Sequence, residues 1–258
     1  MSLLSVTGLQ KSYAGVHAVR DVSFEIPPGS VTGLIGPNGS GKSTSIDCIS
    51  GFQRPDEGRW SLAGRDLTGL PAHAVALAGL TRTFQTVRAY GELSLIENLC
   101  VAAQEHDGIG WWSSLRRSTA CRKADEVARA CGLDLLDQVG LSEYKDAPAQ
   151  VLSYGQSKLL AIAAAMMSRP TLVILDEPVA GVNPTMVRRI EAIIRTLNQQ
   201  GISFLIVEHN VEFIMTLCAQ VIVLDAGQKI GDGPAAAIRS DPRVLEAYLG
   251  VVSEPGGA

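Results

Sequence analysis

The sequence predicts an α/β fold: a mostly parallel central sheet flanked by helices, with an antiparallel β layer on one side and a helical segment inserted into the chain. Three observations lead there. Short β-branched runs alternate with helical patterns, a glycine-rich loop joins one such run to a helix, and the stretch 94–149 lacks strand-like runs.

Taken in order, the early segment to about residue 62 has the punctuation of antiparallel strands and turns, in Pro27-Pro28-Gly29 and Asp56-Glu57-Gly58. With the run at 19–26 it is predicted to form the β layer. The runs 31–35, 172–175, 204–207 and 221–224 are predominantly apolar, as expected of strands buried on both faces. A helix is expected from residue 43 to 49. Another spans 186–197, where apolar residues recur every three or four positions and Pro184 suits the first turn. Residues 94–149, including a helical pattern at 121–131, read as a helical subdomain interrupting a core made of 1–93 and 150–252. The chain up to 252 is thus expected to be a single domain. The Pro- and Gly-rich end, 253–258, is expected to be disordered.

Composition bounds the function. The 258 residues are 46% hydrophobic and 19% charged, with a net charge of −4, as in a globular protein with a sizeable core. No run of Lys and Arg exceeds a pair, which disfavours nucleic acid as a partner. The longest apolar stretch, 159–167, is about half of what a membrane-spanning helix needs. The first nine residues lack the basic and apolar segments of a secretory signal, so none is expected. Five cysteines, Cys48, Cys100, Cys121, Cys131 and Cys218, are odd in number and scattered, which suits a reducing compartment and small buried hydrophobes better than disulfides or zinc.

Gly36-Pro37-Asn38-Gly39-Ser40-Gly41-Lys42-Ser43-Thr44 satisfies the pattern G-x-x-x-x-G-K-[ST], between an apolar strand and a helix. Glycines let successive N–H groups turn inward onto phosphate oxygens, and the helix start adds partial positive charge. Lys42 is expected to reach the β- and γ-phosphates and Ser43 to place its hydroxyl on Mg²⁺. A second buried run ends in Asp176 and Glu177, and ligands of parallel α/β sheets sit at the carboxyl ends of strands. Asp176 is read as holding Mg²⁺ through water, and Glu177 as the general base for an attacking water. His209 follows the run 204–207 and is expected at the γ-phosphate or the water. His17, His73 and His106 have no such context.

In this order of motifs the chain resembles the ATPase subunits of ABC transporters, over residues 3 to about 249. The residues that carry the resemblance are Tyr13, the loop 36–44, Gln85 in Thr83-Phe84-Gln85, Leu152-Ser153-Tyr154-Gly155-Gln156, Asp176-Glu177 and His209. The segment at 152–156 separates this family from other P-loop ATPases. The resemblance implies ATP and Mg²⁺ as cofactors, with Tyr13 stacking on adenine and Gln85 touching Mg²⁺ and the water. Ser153, Gly155 and Gln156 belong to the signature that covers the γ-phosphate held by a second ATPase subunit, identical or paralogous. Ser153 is at the same time a good N-cap for the following helix, and a helix start aimed at an anion is the physical basis of that contact. The family's other partners are integral membrane permease subunits and, indirectly, a solute-binding protein, which implies a peripheral place on the cytoplasmic face of the inner membrane. Two residues depart from the common pattern: Tyr154 stands where Gly is usual, and Asn183 where many members have Asp.

Thr81-Arg82-Thr83-Phe84-Gln85, the signature with Tyr154, Gly181-Val182-Asn183-Pro184 and the ending at 241–250 resemble most the ATPases of branched-chain amino acid importers. Importers of urea, short amides or aromatic acids are similar, and a soluble ABC ATPase acting on ribosomes or DNA is a further alternative. That last class carries tandem cassettes or a coiled-coil insertion, neither present here. A regulatory module without turnover is disfavoured by Glu177 and His209. Trp111 and Trp112 are expected either to dock on a membrane partner or to cover the helical subdomain's own core.

Overall fold

The computed structural model describes residues 2–83, 89–103 and 119–249. Gln85, Trp111, Trp112 and the tail at 253–258 lie outside them.

Two sheets pack together. The first is antiparallel and joins β1 (Leu4–Tyr13), β2 (Val16–Ile26), β4 (Glu57–Leu62) and β5 (Arg65–Asp66) in the order β2-β1-β4-β5. The second contains β3 (Val31–Ile35), β6 (Leu80–Arg82), β7 (Leu172–Asp176), β8 (Ser203–Val207), β9 (Gln220–Asp225) and β10 (Gln228–Pro234), in the order β10-β9-β3-β8-β7-β6. All its pairings are parallel except that of β9 with β10.

The continuous apolar runs are strands buried on both faces. Val173, Leu175, Phe204, Ile206, Val221 and Val223 face a core shared with helices, whereas Leu172, Ile174, Leu205, Val207, Ile222 and Leu224 face the antiparallel layer. This period of two, apolar in both phases, is what the sheet's sandwiched position demands.

Helices pack on the central sheet, those at 42–49 and 72–77 in the core it shares with the antiparallel layer and the others on its outer face. They are α1 (Lys42–Ile49), α2 (Ala72–Leu77), α3 (Leu95–Ala102), α4 (Thr119–Gln138), α5 (Tyr154–Met166), α6 (Pro184–Gln199), α7 (Val211–Leu217), α8 (Ala235–Arg239) and α9 (Pro242–Leu249). Pro184 is indeed the first residue of α6, and Asn183 caps it by accepting from the Met186 N–H at 2.9 Å. Three strand-to-strand turns share one dipeptide. Ala14-Gly15, Ala63-Gly64 and Ala226-Gly227 all have positive φ at both residues, the requirement of the two-residue turn that matches strand twist. Among the described residues no helix is long and apolar enough to cross a membrane.

Candidate functional site

The four central parallel strands point the same way, so their carboxyl ends share one edge. The loop 36–44 leaves β3, Asp176 and Glu177 end β7, and His209 follows β8. Because β3 lies next to β8, and β8 next to β7, the topology alone places loop, histidine and acids side by side.

The loop starts α1 without a side-chain cap: the N-cap is Gly41, at φ 96°. The first-turn N–H groups of a helix have no intrahelical acceptors, so here they are available to an anion. A Cβ on Gly41 would lie 2.5 Å from the Ala18 carbonyl oxygen, so β2 closes the back of the loop and only glycine fits. Lys42 Nζ donates to the carbonyl oxygens of Gly36 (2.8 Å) and Pro37 (2.9 Å), which fixes a cation at the loop's mouth. Burial lowers its pKa, and the carboxylates of Glu177 and Asp176 oppose that shift, so the ammonium lies within their field. Pro37, Asn38 and Gly39 line the outer rim, Ser40 is buried beneath, and Ser43 and Thr44 open the helix, with Ser43 exposed.

Asp176 is held from the neighbouring strand. Arg82 Nη2 donates to its Oδ2 at 2.9 Å, while Arg82 Nη1 bonds Asp47 on α1, so one guanidinium spans the acidic strand end and the loop's helix. Glu177 has a left-handed backbone, φ 48°, rare for a side-chain-bearing residue. Its N–H donates to the Val207 carbonyl at 2.9 Å and its own carbonyl accepts from the buried Lys158 Nζ at 3.0 Å. His209 Nδ1 stands 3.8 Å from Glu177 Oε1 and 3.6 Å from Glu208 Oε2. Tyr13 ends β1 opposite Val16, with Lys11 Nζ 5.5 Å above its ring. Its hairpin is the one whose Ala18 backs Gly41, and the tyrosine itself is exposed.

Ser153 caps α5 as expected. Its hydroxyl accepts from the Gln156 N–H at 3.4 Å and the Gln156 side chain accepts from the Ser153 N–H at 2.9 Å, a reciprocal capping box. The Ser153 hydroxyl also donates to Gln156 Oε1 at 2.9 Å. Ser153, Tyr154 and Gly155 line an open groove with Gly181, Val182, Asn183 and Met186. The Tyr154 ring packs on Gly181, and Lys158 Nζ stands 5.4 Å from it. The structure thus unites the loop, both acids and the histidine on one edge, and sets the 153–156 segment in a groove of its own. Among the described residues no cluster of three or more His, Cys, Asp and Glu is ready to hold a metal unaided. Ser43 and Asp176 offer the oxygen donors that a hard cation takes.

The sequence motifs assign no site role to Arg82, Lys158 or Glu208. For Glu208 the signal was present, since an apolar run ending in a carboxylate is the pattern that marked Asp176.

A phosphate loop facing paired carboxylates and a histidine at neighbouring strand ends defines a P-loop ATPase. The chain belongs to the ABC transporter family, whose model matches residues 19–180. A second model, described as branched-chain amino acid ATP-binding cassette transporter, matches residues 228–253. The chain is 36% identical over 249 residues to the high-affinity branched-chain amino acid transport ATP-binding protein BraF of Pseudomonas aeruginosa, covering 96% of this chain and 98% of that one. It is 37% identical over 249 residues to the corresponding LivG of Salmonella typhimurium, with coverage of 96% and 98%. A crystal structure of an ATP-binding cassette of an ABC transporter in its ADP conformation superposes with a TM-score of 0.85 at 34% identity, covering 97% of this chain and 99% of the other.

Proposed function

We propose that this chain is the ATP-hydrolysing subunit of an importer of branched-chain amino acids, working on the cytoplasmic face of the membrane through separate permease subunits. The observation that carries the motor reading is the convergence of loop, acids and histidine on one edge while the Ser153 helix start lies in a separate open groove. The names of its relatives and the match at 228–253 support the cargo.

In this reading the N–H groups of 39–44 and Lys42 hold the β- and γ-phosphates, and Tyr13 stacks on adenine. Ser43, Asp176 through water, and Gln85 would hold Mg²⁺, which would supply charge neutralisation on the phosphate oxygens. Glu177 accepts the proton of the attacking water, and His209 orients the water and γ-phosphate. Arg82 fixes the Asp176 carboxylate and leaves one oxygen for that role. Ser153, Gly155 and Gln156 of a second subunit, identical or paralogous, cover the γ-phosphate from the far side, so nucleotide binding closes a dimer and hydrolysis releases it. A helical subdomain at 94–149 belongs to the same reading. Its α3 and α4 pack on each other, and Arg189 of α6 donates to the Val139 and Gly140 carbonyls at 3.0 and 2.7 Å, joining it to the core.

The test is the purified membrane complex. Wild type hydrolyses ATP, faster when leucine, isoleucine or valine is presented with the solute-binding protein. Glu177→Gln loses at least about a hundredfold in turnover, retains ATP and runs as a closed dimer. Stimulation by urea, short amides or aromatic acids instead would reassign the cargo, and a monomeric Glu177→Gln chain with its partner and ATP would refute the sandwich.

A further inference from the structure

We propose that Glu208 is a positioning residue of the hydrolytic centre. Its buried carboxylate ties the backbone just beyond Glu177 to the backbone of His209 and holds those two groups at one separation. The inference rests on the ATPase reading above and adds to it a residue that contacts neither nucleotide nor water.

Glu208 directly follows β8, and its side chain is fully enclosed, with 0% relative exposure. Both oxygens are spent inside the fold. Oε1 accepts from the Val179 N–H at 3.1 Å, two residues beyond Glu177 on the segment leaving β7. Oε2 accepts from the N–H groups of His209 at 3.0 Å and Asn210 at 3.1 Å, at the start of α7. A buried carboxyl group accepting from three backbone donors extends the link between the two chain segments past the last backbone bond that joins them, Glu177 N–H to the Val207 carbonyl.

The conformation of Glu177 gives the cross-link a purpose. A non-glycine residue at φ 48° persists only where its surroundings over-determine it. Val207 holds its N–H, Lys158 holds its carbonyl, and Glu208 fixes the chain two residues further on. The same carboxylate lies 3.6 Å from His209 Nδ1, which in turn lies 3.8 Å from the Glu177 carboxylate. Glutamine cannot substitute: it offers one acceptor oxygen and an NH₂ group that only donates where three N–H groups converge, so one arm of the cross-link fails even though the shape is kept.

The test uses the full chain in its membrane complex, with steady-state ATP hydrolysis, thermal denaturation and a double-mutant cycle against His209→Ala. For Glu208→Gln we expect kcat reduced at least tenfold, KM for ATP within threefold of wild type, and no further loss of kcat when the change is added to His209→Ala. Non-additivity separates positioning through His209 from general loosening of the fold, which would multiply with it. A folded Glu208→Gln complex with kcat within twofold of wild type, or losses that multiply in the double variant, would overturn the proposal. Should Glu208→Gln not fold, Glu208→Asp decides by the same criteria, because its shorter stem cannot span Val179 and Asn210 together. An inactive wild-type complex would sink the ATPase reading and this inference with it. An active wild type with an indifferent Glu208→Gln sinks the inference alone.

Discussion

The ammonium of Lys42 faces two demands. Burial disfavours its charge and lowers its pKa, and the nearby carboxylates of Glu177 and Asp176 offset that only in part. Phosphate oxygens offer the same ammonium stronger acceptors than the loop carbonyls, and a charged hydrogen bond contributes about 1.5–3 kcal/mol. Lys42→Ala should therefore weaken ATP binding roughly ten- to a hundredfold, read by titration with a fluorescent nucleotide. Undiminished affinity in the folded variant would remove Lys42 from the phosphate site. Residues such as Lys42, Asp176 and Glu177 were legible because their chemistry is local: a loop pattern, or an acid at the end of an apolar run. Arg82 and Lys158 were not, because their partners lie 35, 94 and 19 positions away in the chain. Nothing in the sequence around a lone cation says which distant carbonyl or carboxylate it will meet.

One helix start carries two functions at Ser153, and a single substitution separates them. Aspartate is as good an N-cap as serine and adds a favourable charge at the helix N-terminus, so Ser153→Asp should keep its melting temperature within a few degrees of wild type. The same carboxylate would oppose a γ-phosphate brought by the partner. Turnover in the complex should fall more than about tenfold, since like charges at contact cost at least 1.4 kcal/mol in a partly buried site. Normal turnover with an intact fold would place the phosphate elsewhere. At this scale the central strands were legible because burial on both faces leaves an uninterrupted apolar run. The edge strand β10 was not, since Gln228–Pro234 holds two glycines and a single large apolar residue. Its pairing is dictated by the Ala226-Gly227 turn and by β9, and Ala-Gly is a weaker turn signal than Asn-Gly.

The two cores on either side of the central sheet each enclose a thiol, Cys48 facing the antiparallel layer and Cys218 beneath the helices. Burial pushes Cys48 up to about 11 and Cys218 up to about 12, from an ordinary value of 9.0. The unfolded chain releases these protons near pH 9, while the folded chain keeps them. Stability is therefore undiminished by the thiols below pH 9 and declines as pH rises from there through 11 and 12, by at most about 1.4 kcal/mol per unit for each thiol. Lys42 acts with the opposite sign, because its lowered pKa makes the folded state release a proton first and so adds stability as pH rises toward 10.5. Comparing the slope of melting temperature against pH in wild type and in a Cys48→Ala, Cys218→Ala chain cancels the lysine. The double variant should start lower, from the lost packing, and fall less steeply between pH 9 and 11. Equal slopes would mean that water reaches the thiols, and that the sheet is less tightly enclosed on its two faces than the placement of a rigid nucleotide edge requires.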